Sequence, residues 1–110
     1  MNQVLWHELA DALLALEMAL RANGLWSPLP PEPARLASEV PFCIDTLDFE
    51  QWLQWLFIPR MVEIIEGGRA MPGVFQIAPM GEEAFAHMGR RGHPLIAALA
   101  RIDGLAARIG

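Results

Sequence analysis

Six residues could do chemistry because each is a polar or aromatic group set among large apolar neighbours. They are Asp45 and Thr46 in PFCIDTLDF, and Trp52, Gln54, Trp55 and Arg60 in WLQWLFIPRM. Together they offer a carboxylate, a hydroxyl, an amide and a guanidinium, with two indole faces to wall a small ligand or anchor a partner. That is equipment for binding. Asp45 and Arg60 cannot serve one another, because the roughly 15 residues between them span about 20 Å along a straight helix. Each needs its own partner: backbone amides near a helix start for Asp45, an acid or free carbonyls on another element for Arg60. The expectation is that these groups orient a crossover and lock a helix bend, and the alternative is a ligand pocket lined by Trp52, Gln54, Trp55 and Arg60.

No catalytic, cofactor or metal constellation accompanies them. His7, His87 and His93 do not fall at ligand spacing with acids or with Cys43, so neither zinc nor iron is indicated. Cys43, between Phe42 and Ile44, reads as a small buried hydrophobe. Glu66-Gly67-Gly68-Arg69 is a helix stop with a charged turn and not a phosphate cradle following a strand. The acids at Asp48/Glu50 and Glu82-Glu83 fall at expected helix starts, where capping accounts for them.

The elements that must position these residues are helices. Leu5, Leu9, Ala12, Leu13, Leu16 and Leu20 share one stripe at 3.6 residues per turn, which predicts a first helix over about 3–22. Asn23-Gly24 stops it, since both residues tolerate a left-handed cap. Val4, Leu14 and Met18 lie on its far side with His7 and Asp11, a second strip for burial on both sides or for a partner. WSPLPPEPARLASEV, with prolines at 28, 30, 31 and 33, predicts an extended crossover and not a helix. Trp26 is expected to fold back over the first helix end.

Asp48 as N-cap and Gln51 three residues on predict a capping box opening the central helix, about 48–66, which is apolar on nearly every side and therefore the core element. Pro59 inside it predicts a bend and a freed Trp55 carbonyl. Pro72-Gly73 has the pairing of a type II turn, followed by an extended Val74–Ile77. A short helix over about 81–88, a Gly-Arg-Arg-Gly loop and a last helix over about 94–109, opened by Pro94, complete a single domain spanning 1–110. The fold class expected is all-α and four-helix-bundle-like, with a long Pro-rich crossover.

Composition narrows the function classes. Apolar residues make up 54% of the 110, mean hydropathy is +0.28 and the net charge is −5. An excess of acid argues against direct nucleic-acid binding. The charge is uneven: residues 84–110 carry four arginines against Asp103 alone, while the other twelve acids precede them. No membrane span is expected, because the apolar run from Trp52 to Ile65 is broken by Gln54, Pro59, Arg60 and Glu63. Glu8, Asp11 and Glu17 interrupt any signal-peptide core, and a lone Cys43 makes no internal disulfide, so a cytoplasmic protein is expected.

The run Pro41-Phe42, Asp45-Thr46, Trp52-Leu53-Gln54-Trp55, Ile58-Pro59-Arg60-Met61, then Pro72-Gly73, Phe75 and Ala78-Pro79, resembles the YqcC-like family of small bacterial proteins. Leu16-Glu17, Leu20-Arg21 and Trp26 extend the likeness, which covers about residues 15–85 and departs near 87–94. The resemblance implies an all-α, bundle-like fold in the bacterial cytoplasm and transfers no active-site residue. Some members carry a pseudouridine-synthase label, through gene neighbourhood. This chain lacks the length, the mixed sheet and the basic RNA cleft of such an enzyme. The leading expectation is a non-enzymatic interaction protein, self-associating or accessory to an RNA-modifying enzyme. A small-molecule-binding bundle comes second, and RNA contact through Arg90, Arg91, Arg101 and Arg108 third.

Overall fold

A computed structural model describes residues 3–68, 71 and 76–109; the expected turn at Pro72-Gly73 and the residues Val74 and Phe75 lie outside them. The described residues form helices and no strand, so the all-α expectation holds. Helix α1 runs Gln3–Ala22, and its predicted stripe faces inward: Leu9, Ala12, Leu13, Leu16 and Leu20 are buried, with Leu5 half-buried against the core. Gly24 takes φ 70°, and the Leu25 amide reaches the Leu20 carbonyl at 2.8 Å while the Gly24 amide reaches Arg21 at 3.1 Å, the paired bonds of a Schellman cap. Trp26 does fold back, with the Arg21 guanidinium 4.6 Å above its ring.

The crossover differs from the expectation of an extended segment, because a single helical turn, α2 (Pro33–Leu36), forms inside it. Pro33 stands in the first turn, where its missing amide has no intrahelical acceptor to lose, and Ala34, Arg35 and Leu36 are good helix formers. The central helix begins as α3 (Phe49–Trp52), continues through a π turn (Leu53–Phe57) and ends as α4 (Ile58–Gly67). Asp48 is its N-cap, and its amide donates to the Gln51 side chain at 2.9 Å, the return arm of the capping box. The helix meets Pro59 with a widened turn in which the Ile58 amide reaches back five residues to the Leu53 carbonyl.

The third expected helix is displaced. Helix α5 spans Ala78–Ala84, so Pro79 lies in its first turn and Glu82 and Glu83 sit too late to serve its positive end. That end is served from outside by Asp103, whose carboxylate accepts the amides of Ile77 and Ala78, each at 2.9 Å. The Gly-Arg-Arg-Gly segment is no open loop but part of a 3-10 run, Ala86–Gly92, broken at Gly89 (φ 58°, ψ −133°). Helix α6 (His93–Ile109) starts one residue before Pro94 and buries Leu95, Ala98, Leu99, Ile102, Leu105 and Ala106.

Packing follows from these faces. Helices α1 and α6 make the most extensive pairing and run antiparallel: Asn23 reaches the Arg91 carbonyl at one end, and Glu8 adjoins Arg101 and Arg108 at the other. Helix α5 folds back along α6, with Ala78 beside Asp103 and Gly81 against Leu99, where a Cβ would run into the leucine side chain. The central helix closes the core through Leu53, Phe57, Ile58, Met61 and Ile64. Among the described residues, no helix is long and apolar enough to cross a membrane.

Candidate functional site

Gln54 lies on the π turn and is the one polar residue buried in the described core. Its Oε1 accepts the Ser27 amide at 2.8 Å and its Nε2 donates to the Ser27 carbonyl at 2.7 Å. Both ends of the side chain are engaged by one backbone residue, as a neighbouring strand would engage it. Gln54 therefore pins the start of the crossover to the central helix and leaves the ligand pocket it was expected to line.

Asp45 and Thr46 fasten the other end of the crossover. The Thr46 hydroxyl donates to the Arg35 carbonyl at 2.7 Å, and the Arg35 Nε donates to the Thr46 carbonyl at 2.7 Å. Asp45 is exposed, contrary to the apolar setting its neighbours suggested, and its partner is the Ser38 hydroxyl at 2.6 Å and not helix amides. The reason is the backbone between them. Phe42 and Cys43 both take left-handed φ angles, 60° and 50°, which turn the chain so that Cys43 is buried and Asp45 points outward. Such a conformation costs about 1–2 kcal/mol per non-glycine residue. Aromatic packing offsets it, because the Phe42 ring meets Trp52 edge-on at 5.0 Å and Phe49 at 6.1 Å.

Trp52 belongs to that cluster, stacking on Phe49 at 5.7 Å and Phe57 at 5.3 Å. Trp55 is half-buried, and its indole N–H is buried with no hydrogen-bond partner. Arg60 is exposed, and no ion pair or hydrogen bond holds it among the described residues. Trp52, Trp55, Leu56, Pro59, Arg60 and Glu63 follow one face of the central helix and line an open groove of about 470 Å³. The structure thus gathers Trp52, Trp55 and Arg60 and sets Asp45, Thr46 and Gln54 apart from them.

A second concavity, of about 250 Å³, lies between α1 and α4 and is lined by Ala10, Leu13, Leu14, Glu17, Val62, Ile65 and Glu66. It borders the far strip of α1, whose Val4, Leu14 and Met18 are 69%, 56% and 61% exposed, so this helix is not buried on both sides among the described residues. No group of three or more His, Cys, Asp or Glu residues is placed to hold a metal among the described residues. Sequence reasoning missed Ser27, Arg35 and Asp103, which act on residues far along the chain and have no local signature.

Comparison with known proteins places the chain among relatives. Residues 8–105 match the family described as "tRNA pseudouridine synthase C". The chain is 37% identical over 95 residues to the uncharacterised protein YqcC of Escherichia coli, covering 86% of this chain and 87% of that one. An uncharacterised Haemophilus influenzae protein is 45% identical over 69 residues, 63% of this chain and 65% of that one. A tRNA pseudouridine synthase C of Pectobacterium carotovorum is 38% identical over 66 residues, which are 60% of this chain and only 18% of that one. The solution NMR structure of E. coli YqcC superposes with a TM-score of 0.83 at 33% identity, covering 96% of this chain and 91% of that one. With the family match over residues 8–105, the identity across most of both chains and the superposition all agreeing, the chain belongs to the YqcC-like family of small bacterial proteins.

Proposed function

We propose that the chain is a non-enzymatic interaction module of the bacterial cytoplasm that accompanies a tRNA pseudouridine synthase. The observation that carries this reading is the Pectobacterium relative: a segment similar to this chain makes up a small share of a longer chain bearing that synthase name. Two activities that share one polypeptide in one organism commonly meet as separate chains in another. The exposed apolar strip of α1 supports the reading, as large apolar patches on small domains mark places where partners sit. The test is to mix the purified chain with the tRNA pseudouridine synthase encoded in the same genome and follow sedimentation. A complex heavier than either component is expected. Two species sedimenting independently at micromolar concentration would overturn the reading, as would pseudouridine formation by this chain alone.

A second reading, a small-molecule site on the central helix, is favoured by one observation, the unpartnered Trp55 indole N–H beside the free Arg60. An acceptor-bearing ligand would pair with Arg60, and a turn of the Trp55 ring that uncovers its buried N–H would bring that donor to the same acceptor. Its test is the indole proton resonance of Trp55 in the presence of small carboxylates; no movement at millimolar concentration removes it.

A further inference from the structure

We infer that the groove between α1 and α4 docks a cationic amphipathic helix of a partner protein. The inference rests on the reading as an interaction module and adds the surface and the chemistry of what binds there. The groove's floor is apolar, built from Ala10, Leu13, Leu14, Val62 and Ile65. Leu14 also belongs to the outer strip, so groove and strip form one continuous surface in which Leu14, Met18 and Val62 are 56%, 61% and 38% exposed. From Val4 to Met18 this strip extends about 21 Å along α1 at 1.5 Å per residue, room for three to four turns of a visiting helix.

Charge selects the occupant. Glu17 and Glu66 stand at the groove and Asp11 on the adjoining strip. Among the described residues the cation at this face is Arg21, bound to Glu17 at 2.9 Å and lying over Trp26, so the uncompensated negative charge is that of Glu66 and Asp11. The surface is therefore apolar with an acidic border, which repels nucleic acid and anionic lipid alike. Two copies meeting through this face about a twofold axis would bring acids against acids. A helix with apolar residues on one side and Lys or Arg flanking them meets both requirements.

The probe is a synthetic helix with leucines on one face and lysines on the other, with a counterpart carrying glutamates in place of the lysines, titrated by fluorescence anisotropy. The lysine helix is expected to bind in the micromolar range, weaken as salt rises, and bind at least about tenfold more weakly to Leu14→Glu or Val62→Glu. Thermal melts of these variants confirm folding, since both positions are exposed. The double reversal Glu17→Lys/Glu66→Lys is expected to reject the lysine helix and accept the glutamate one. The inference is overturned by no binding of the lysine helix, by equal binding of both helices, or by binding indifferent to Leu14→Glu. Dimerisation of the wild type that Leu14→Glu abolishes also overturns it, assigning the face to a second copy. If the synthase binds but Leu14→Glu leaves that complex intact, the groove inference alone fails. If the lysine helix binds in the groove and the synthase does not bind at all, the accessory reading alone fails.

Discussion

A side-chain amide that grips one residue's backbone at both ends, as buried Gln54 grips half-buried Ser27, satisfies four polar groups at once. Gln54→Leu is expected to strand the Ser27 amide and carbonyl and lower stability by about 2–4 kcal/mol, read as a fall in the urea midpoint at unchanged slope. Asp103→Ala should lose about 1–3 kcal/mol by uncapping α5, and Asp103→Asn less, because its amide oxygen still accepts. Both contacts join residues 25 to 27 apart, and that distance explains why they were illegible. Stripe residues announce themselves by recurring every three or four positions. A lone Gln or Asp announces only that it needs a partner. Asp45 misled for the related reason that its apolar neighbours in sequence are turned away from it by the left-handed pair at Phe42 and Cys43.

Among the elements, the boundaries written in local chemistry were readable. Asn23-Gly24 ends α1, Asp48 with Gln51 opens the central helix, and Gly68 closes it in a left-handed cap. Pro59 was legible as a disturbance, but the π turn that accommodates it was not, since reaching back five residues has no compositional signature. Helix α5 was misplaced because Glu82 and Glu83 looked like first-turn acids, whereas the acid that serves its start comes from α6. The α5–α6 contact offers a test at this scale. Gly81→Ala gains helix propensity of about 1 kcal/mol, yet pushes a methyl into the fully buried Leu99, and overpacking of about 1–3 kcal/mol should prevail. In a Leu99→Ala background the same substitution should become neutral or stabilising, and a double-mutant cycle of melting free energies measures the difference.

At the scale of the whole molecule, exposed Leu14 and Val62 separate surface from stability. Replacing Leu14 by Glu should change unfolding free energy by no more than about 0.5 kcal/mol, and replacing the less exposed Val62 by no more than about 1 kcal/mol, while both impair association, a contrast that a paired melt and binding titration displays. The antiparallel pairing of α1 with α6 has a consequence for how this unit can be joined to others. The start of the first helix and the end of the last lie side by side, so the described residues trace a nearly closed circuit. A short linker there, with a new opening between the exposed Leu29 and Pro30, should yield a circular permutant that keeps its helical spectrum and a similar melting temperature. Because Gln3 and Val4 are exposed and Ile109 rests on the core only half-buried, the same unit should tolerate being spliced into a longer polypeptide at either side, or inserted into a loop, without unpicking its interior.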